Sequence, residues 1–179
     1  MDKRTLLRRI KEDDESAFNE LYIRYFNLLN LFSYSIVNDN GVSEEIIDDV
    51  FLKLWLKRNS LPNISNEKVY LYTAVRNASL NYLRTFATKR YQAMENFLLS
   101  EQQLYIEFSP EHHYIRKETE DRINEAMNAL PPKCKTVYSM IKGDGLSINE
   151  VAEILSLSYK TVFAQLQIAL RKIASALNK

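Results

Sequence analysis

Residues 147–173 read Ser-Ile-Asn-Glu-Val-Ala-Glu-Ile-Leu-Ser-Leu-Ser-Tyr-Lys-Thr-Val-Phe-Ala-Gln-Leu-Gln-Ile-Ala-Leu-Arg-Lys-Ile. The pattern predicts two helices joined by a three-residue turn. Ser147 suits the N-cap of the first helix, and Glu150 three positions later completes a capping box. Val151, Ile154 and Leu155 form an apolar stripe, and Ala152 leaves room for close packing. Ser156-Leu157-Ser158 interrupts the helix, with Ser158 placed to cap the next one. Val162, Leu166, Ala169, Leu170 and Ile173 then recur at helical spacing. A pair of this kind is either an ordinary helical hairpin or a helix-turn-helix whose second helix enters a DNA major groove.

The rest of the 179 residues is built in the same way. There are three glycines, Gly41, Gly143 and Gly145, each among polar residues between apolar-periodic stretches, so glycine serves as punctuation and the expected fold is all-α. The four prolines, at 62, 110, 131 and 132, fall near the same boundaries. With 24 basic and 23 acidic residues the formal charge is +1. Tight, sequence-independent grip on duplex DNA needs clustered Lys and Arg, so binding by this chain alone should be weak. The single cysteine, Cys134, excludes a disulfide framework and a thiolate metal cluster, and reads as a small buried hydrophobe. His112-His113 lacks metal-ligand spacing, so no metal or other cofactor is expected. No apolar run reaches membrane-spanning length and no signal-peptide core follows Met1-Asp2-Lys3-Arg4, so no membrane insertion and a cytoplasmic location are expected.

Periodicity predicts two small helical domains joined by a linker. The first, residues 1–90, holds three helices. One starts at Asp13-Asp14 and turns Phe18, Leu21, Tyr22, Tyr25, Leu28, Leu29, Phe32 and Ile36 inward, ending at Asn38-Asp39-Asn40-Gly41. The next is expected to be capped by Ser43 and carries Ile46, Ile47, Val50, Phe51, Leu54 and Trp55. A third runs from about Glu67 to about Arg90 with Tyr70, Leu71, Ala74, Val75, Leu80 and Leu83 inside and a basic end. Residues 91–116 read as the linker. The second domain, 117–179, opens with a helix at 117–129. Pro131-Pro132 then breaks the chain and starts a helix with Cys134, Val137, Tyr138 and Ile141 inward, which leads through Lys142-Gly143-Asp144-Gly145 into the helix pair.

Separated tracts resemble one family. Leu130-Pro131-Pro132-Lys133-Cys134-Lys135, Gly145 to Ala152, and Ser158 to Val162 are similar to region 4 of the extracytoplasmic-function sigma factors, the small two-domain members of the sigma-70 family. Asp14 to Tyr22, Glu45 to Trp55, Tyr70 to Asn77 and Asn81 to Arg84 are similar to their region 2. The resemblance implies a non-catalytic initiation factor. It would bind core RNA polymerase through its β′ and β subunits, melt and read the −10 promoter element, and place the helix-turn-helix at the −35 element. It also implies restraint by an anti-sigma factor.

On that resemblance the polymerase-facing set is Glu45, Asp48, Asp49, Phe51, Lys53 and Trp55, although an aromatic stripe at this spacing is usually a core. Tyr70, Arg76, Asn77, Asn81, Arg84, Lys89 and Arg90 would meet the −10 strand. Asn77 and Asn81 share a helix face, each amide offering donor and acceptor, and the Tyr70 ring can stack on an unpaired base. Ser158, Tyr159, Lys160, Thr161, Phe163, Ala164, Gln165, Gln167 and Arg171 would face the −35 duplex. Glutamines can pair with adenine, while Phe163 and Ala164 stand where the family often has arginine or serine and cannot fork onto guanine. The rivals are a stand-alone dimeric helix-turn-helix regulator, an enzyme, for which no phosphate loop or nucleophile constellation is present, and a helical adaptor without DNA contact.

Overall fold

A computed structural model describes residues 6–95 and 125–177, with side chains placed for 6–86 and 125–176. The described residues contain helices and no strand. A short helix α1 (Leu6–Lys11) precedes α2 (Glu15–Val37), α3 (Asn40–Leu56) and the long α4 (Glu67–Glu95). After the undescribed segment, residues 125–128 are helical and α5 (Pro132–Tyr138) follows, continuing as a π-helical turn (Ser139–Gly143). The helix pair is α6 (Ile148–Leu155) and α7 (Tyr159–Leu177).

Local chemistry sets most of the boundaries. The Asp14 side chain accepts from the Ala17 amide at 3.0 Å and caps α2, and Arg9 locks that carboxylate at 2.8 Å. The backbone hydrogen bond and the Arg9 contact hold the Asp14 carboxyl below its ordinary pKa. Asn38 turns left-handed (φ 55°) and ends α2. The expected cap at Ser43 is corrected. Asp39 caps α3 through the Val42 amide at 3.0 Å, so the helix starts at Asn40, Gly41 lies inside its first turn, and Ser43 is buried with its hydroxyl on Asn40 O. Both residues suit an N-cap, and the left-handed Asn38 immediately upstream decides for Asp39. Pro131 takes the N-cap position and Pro132 the first position of α5, as expected of a proline that needs no amide partner there. The third helix extends five residues beyond its expected end, to Glu95. The expected 117–129 helix lies mostly outside the described residues, as does most of the linker.

The core begins as a layer of rings between α2, α3 and α4. Phe18, Tyr22 and Phe51 meet edge to face, with Phe51 centred 6.0 Å from Phe18 and 5.0 Å from Tyr22. Phe32 and Tyr72 meet at 5.1 Å on the other side. Leu21, Leu29, Ile47, Leu71 and Val75 are fully buried, each worth roughly 1.5–3 kcal/mol on folding. The Ser33 and Ser79 hydroxyls pair at 3.0 Å, satisfying polar groups buried between α2 and α4. Helix α1 adds Leu6, Leu7 and Ile10 to this core. The same apolar cluster continues into the C-terminal helices through Val137, Met140, Leu146, Val151, Ile154, Val162 and Leu166. A smaller cluster around Leu130, Cys134, Ala169 and Ile173 ties α5 to α7.

A polar clasp fastens the C-terminal helices to the N-terminal part of α4. The fully buried Tyr72 donates its hydroxyl to Asp144 Oδ2 at 2.7 Å. Lys68 Nζ donates to the Asp144 carbonyl. Asn66 Nδ2 donates to Glu150 Oε1 at 2.6 Å. Burial pushes the Asp144 carboxyl above its ordinary pKa, against the opposing pull of the Tyr72 hydroxyl and the Lys68 charge.

Candidate nucleic-acid interface

Helix α3 presents an acidic face backed by the ring layer. Glu45, Asp48 and Asp49 are exposed, as is Lys53, which pairs with Asp49 across one turn at 3.6 Å. The Tyr22 hydroxyl donates to Asp48 Oδ1 at 2.8 Å and so fixes that carboxylate. Burial, then the bond to Asp48, pushes the Tyr22 hydroxyl up to about 12. Phe51 does not share this face. It is 1% exposed and belongs to the core, because its position falls on the inward side with Ile47 and Leu54. Trp55 is half-buried, against the Phe18 ring at 5.0 Å and beneath the Arg58 guanidinium at 4.3 Å. The sequence reading missed Leu52 and Leu56, which stand 54% and 68% exposed one turn apart beside Asp48 and Asp49. Their signal was available, since both fall outside the inward set at a spacing of four.

Helix α4 carries a second face. Asn77 and Asn81 are exposed on one stripe with Tyr70, Ala74 and the exposed Arg84, while Arg76 is half-buried. The Lys89 and Arg90 side chains lie outside the described residues. Beside the stripe, α3 and α4 enclose a cleft of about 340 Å³, lined among others by Lys53, Lys57, Leu61, Tyr70, Ala74 and Ala78. The alanines open room for it, one aromatic ring forms a wall, and two lysines supply positive charge. Further along α4, Tyr82 and Phe86 stack one turn apart (6.0 Å, 18°), with Phe86 53% exposed. This pair was also missed. Both rings continue the buried stripe of Leu71, Val75 and Ser79 toward the helix end, where Phe86 is left uncovered.

The C-terminal pair has the geometry its sequence demands. Ser147 accepts from the Glu150 amide while Glu150 Oε2 accepts from the Ser147 amide at 2.7 Å, a complete capping box. These bonds hold the Glu150 carboxyl below its ordinary value. Ser156 turns left-handed (φ 55°) to end α6, and Ser158 Oγ accepts from the Thr161 amide at 3.1 Å to start α7. Ser158, Tyr159, Lys160, Thr161, Phe163, Ala164 and Arg171 are exposed, and Gln167 is half-exposed. Gln165 departs from the expectation. It is half-buried and its Oε1 is buried without a hydrogen-bond partner, because its position borders the inward stripe of Val162, Leu166 and Ala169. Among the described residues no cluster of His, Cys, Asp and Glu could hold a metal, and no helix is long and apolar enough to cross a membrane.

The comparisons with known proteins agree with this arrangement. Residues 21–89 match the family model for sigma-70 region 2, and residues 120–173 match that for sigma-70 region 4. The chain is 26% identical over 164 residues to the ECF RNA polymerase sigma-E factor of Haemophilus influenzae, covering 88% of this chain and 85% of that protein. It is 22% identical over 161 residues to the ECF RNA polymerase sigma factor SigW of Bacillus subtilis, covering 87% and 86%. Its fold matches the sigma factor RpoE of Bartonella quintana, solved in complex with the anti-sigma factor NepR, with a TM-score of 0.60 at 19% identity over 90% of this chain and 96% of that one. It also matches CnrH, solved in complex with the cytosolic domain of CnrY, with a TM-score of 0.59 at 17% identity over 97% and 95%. With region 2 placed over the acidic and amide-bearing helices and region 4 over the helix-turn-helix, the chain belongs to the sigma-70 family, as a sigma factor of the extracytoplasmic-function group.

Proposed function

We propose that this sigma factor divides promoter-directed initiation between the faces of two adjacent helices. Sigma factors of this family are regulatory rather than catalytic, and direct RNA polymerase to promoters. In our reading α3 docks core polymerase through Glu45, Asp48, Asp49 and Lys53, with Leu52 and Leu56 as the apolar centre and Trp55 at the edge. A charged rim around exposed leucines is the composition of a protein interface. Phe51 stiffens that helix from behind.

The α4 face then takes the melted −10 strand. Asn77 and Asn81 offer amides to unpaired base edges, and Arg76 and Arg84 track phosphates. The cleft beside Tyr70 has the size and lining to receive one extruded base, and Tyr82 with Phe86 supplies a stacking surface for another. The observation that carries this reading is the shared stripe of Asn77, Asn81 and Arg84 next to an aromatic-walled, lysine-lined cleft. Helix α7 places its exposed first turns at the −35 duplex. We assign residues 1–90 to docking and the −10 element, 91–116 to the linker, and 117–179 to the −35 element, in the cytoplasm where polymerase works. Restraint by an anti-sigma factor fits the same faces.

In our reading the clasp, which holds the C-terminal helices against the N-terminal part of α4, opens when the two domains take up separate promoter elements. A short thiol cross-linker joining Asn66→Cys to Glu150→Cys, with Cys134→Ala to remove the native thiol, should abolish transcription while leaving the uncross-linked control active. Full activity of the cross-linked protein would refute the opening step. The function itself is tested by run-off transcription with core polymerase on genomic fragments of the source organism. New start sites on adding the protein are expected; no new starts and no co-migration with core would end the reading.

A further inference from the structure

The recognition helix α7 carries an unusual pair at its start. The Tyr159 and Phe163 rings stack nearly parallel, 6.2 Å apart with an 8° interplanar angle, within the favoured range for aromatic pairs. They remain 51% and 44% exposed, and Leu157 beside them in the turn is 38% exposed. Buried apolar side chains elsewhere in these helices have partners, so the pair is not part of the core. Its placement is specific: it occupies the first two turns of the second helix of a helix-turn-helix, the turns that reach base edges in a major groove.

Ser158, Thr161 and Gln165 of the same turns face the helix cap or the interior rather than the groove. Ser158 Oγ accepts from the Thr161 amide and shares a hydrogen bond with Thr161 Oγ1 at 2.8 Å, so both hydroxyls serve the helix cap. Gln165 is turned toward the interior. Arg171 Nε lies 3.4 Å from the Gln167 carbonyl and sits two turns further along. Lys160 and Gln167 stand together on one side of the rings and offer groups suited to phosphate or adenine. What the rings themselves can recognise in a major groove is the C5-methyl of thymine, the one apolar group displayed there.

We propose that the stacked Tyr159–Phe163 pair is a thymine-methyl reader and the main source of −35 sequence preference in this protein. Stacking pre-orders both rings, so little rotamer freedom is lost when they close on a methyl group. The pair is wide enough to meet methyls on two neighbouring base pairs. The preferred −35 element therefore contains thymines at adjacent steps opposite these rings, on one strand or on both. This inference rests on the family reading of α7 as the −35 helix.

The test uses the full chain with core polymerase and the promoter mapped by run-off transcription. Thymines of the −35 segment are replaced one at a time by deoxyuridine, which removes only the methyl group. Transcription or holoenzyme affinity should fall roughly three- to fivefold for each methyl read, the effect of burying about one methylene-sized group. Phe163→Ala should weaken the thymine template and erase the difference between thymine and deoxyuridine; Phe163→Leu, which keeps an apolar tip, should retain part of it. Equal use of both templates by the unaltered protein, or a −35 segment without thymine, overturns the proposal. A Phe163→Ala protein that loses co-migration with core while keeping methyl discrimination also overturns it, and assigns the pair to a protein contact. Absence of any transcript would remove the sigma reading itself, and this inference with it.

Discussion

Helices α4 and α7 each carry a stacked aromatic pair one turn apart, yet their surroundings differ. On α4, Tyr82 and Phe86 share the helix, though not the face, of Asn77, Asn81 and Arg84. On α7, Tyr159 and Phe163 follow a serine cap, and the nearby hydroxyls are tied into that cap. The first setting suits unpaired bases, which expose both flat faces and hydrogen-bonding edges. The second suits an intact duplex, where only groove-lining atoms can be touched. One residue type is thus put to two uses by what stands beside it.

The supports of the two helices differ as well, and this can be tested by the size of the damage. Helix α4 leans on a ring layer with distant sequence partners, whereas the pair α6–α7 leans strongly on local capping. Phe51→Ala should be the most destructive single change, costing about 3–5 kcal/mol through the cavity it leaves between α2 and α3. Chemical denaturation read by circular dichroism measures it; a loss below 1 kcal/mol would show that the layer does not support the docking helix. Tyr72→Phe removes the hydroxyl that meets the half-buried Asp144 and should cost about 1–3 kcal/mol in the same assay. Ser147→Ala breaks the capping box and should cost about 1 kcal/mol, lowering the thermal midpoint by a few degrees.

The smallest expected effect is one of pH on the clasp. Burial raises the Asp144 carboxyl when the clasp is closed, so the closed form binds its proton more tightly than an open form does. Closure should therefore strengthen as pH falls from neutrality toward the carboxylate range and weaken as pH rises through the raised value. Glu150, held down first by the Ser147 bonds and also by its bond to Asn66 and the Lys68 charge, acts in the opposite sense, and its contribution is lost as pH falls through the lowered value. The rate of cross-linking between Asn66→Cys and Glu150→Cys, corrected for thiol ionisation, reports the closure. A rate that does not respond to pH, or an unchanged response in Asp144→Asn, would remove Asp144 from this role.

What was legible in the sequence follows the range of the interactions. The capping box at Ser147, the cap at Ser158, the Asp14 start and the proline start of α5 depend on neighbours within four residues, and the structure has each as read. Ser43 misled because Asp39, four residues earlier, offers equivalent cap chemistry and the left-handed Asn38 chooses between them. Helix α1 was missed because six residues give too little periodicity to recognise. The inward roles of Phe18, Leu21 and Tyr25 were readable from spacing. The burial of Tyr72 was not, because its partner Asp144 is 72 residues away. Phe51 and Leu52 show the limit at the candidate site. Spacing separates them, since Phe51 falls with Ile47 and Leu54 and Leu52 does not, but the family resemblance drew Phe51 onto the partner face against that signal.

The central claim is that docking on α3 and strand reading on α4 are separable. Permanganate reactivity of promoter thymines, measured alongside co-migration with core polymerase, examines it directly. The unaltered protein should bind core and expose reactive thymines around the −10 element. Asn77→Ala with Asn81→Ala should still co-migrate but lose most of that reactivity, at least tenfold, given about 1–3 kcal/mol per lost base contact. Leu52→Glu with Leu56→Glu should lose both. If the asparagine variant melts the promoter as well as the unaltered protein, or if the leucine variant still binds core normally, the division between the two helices is wrong.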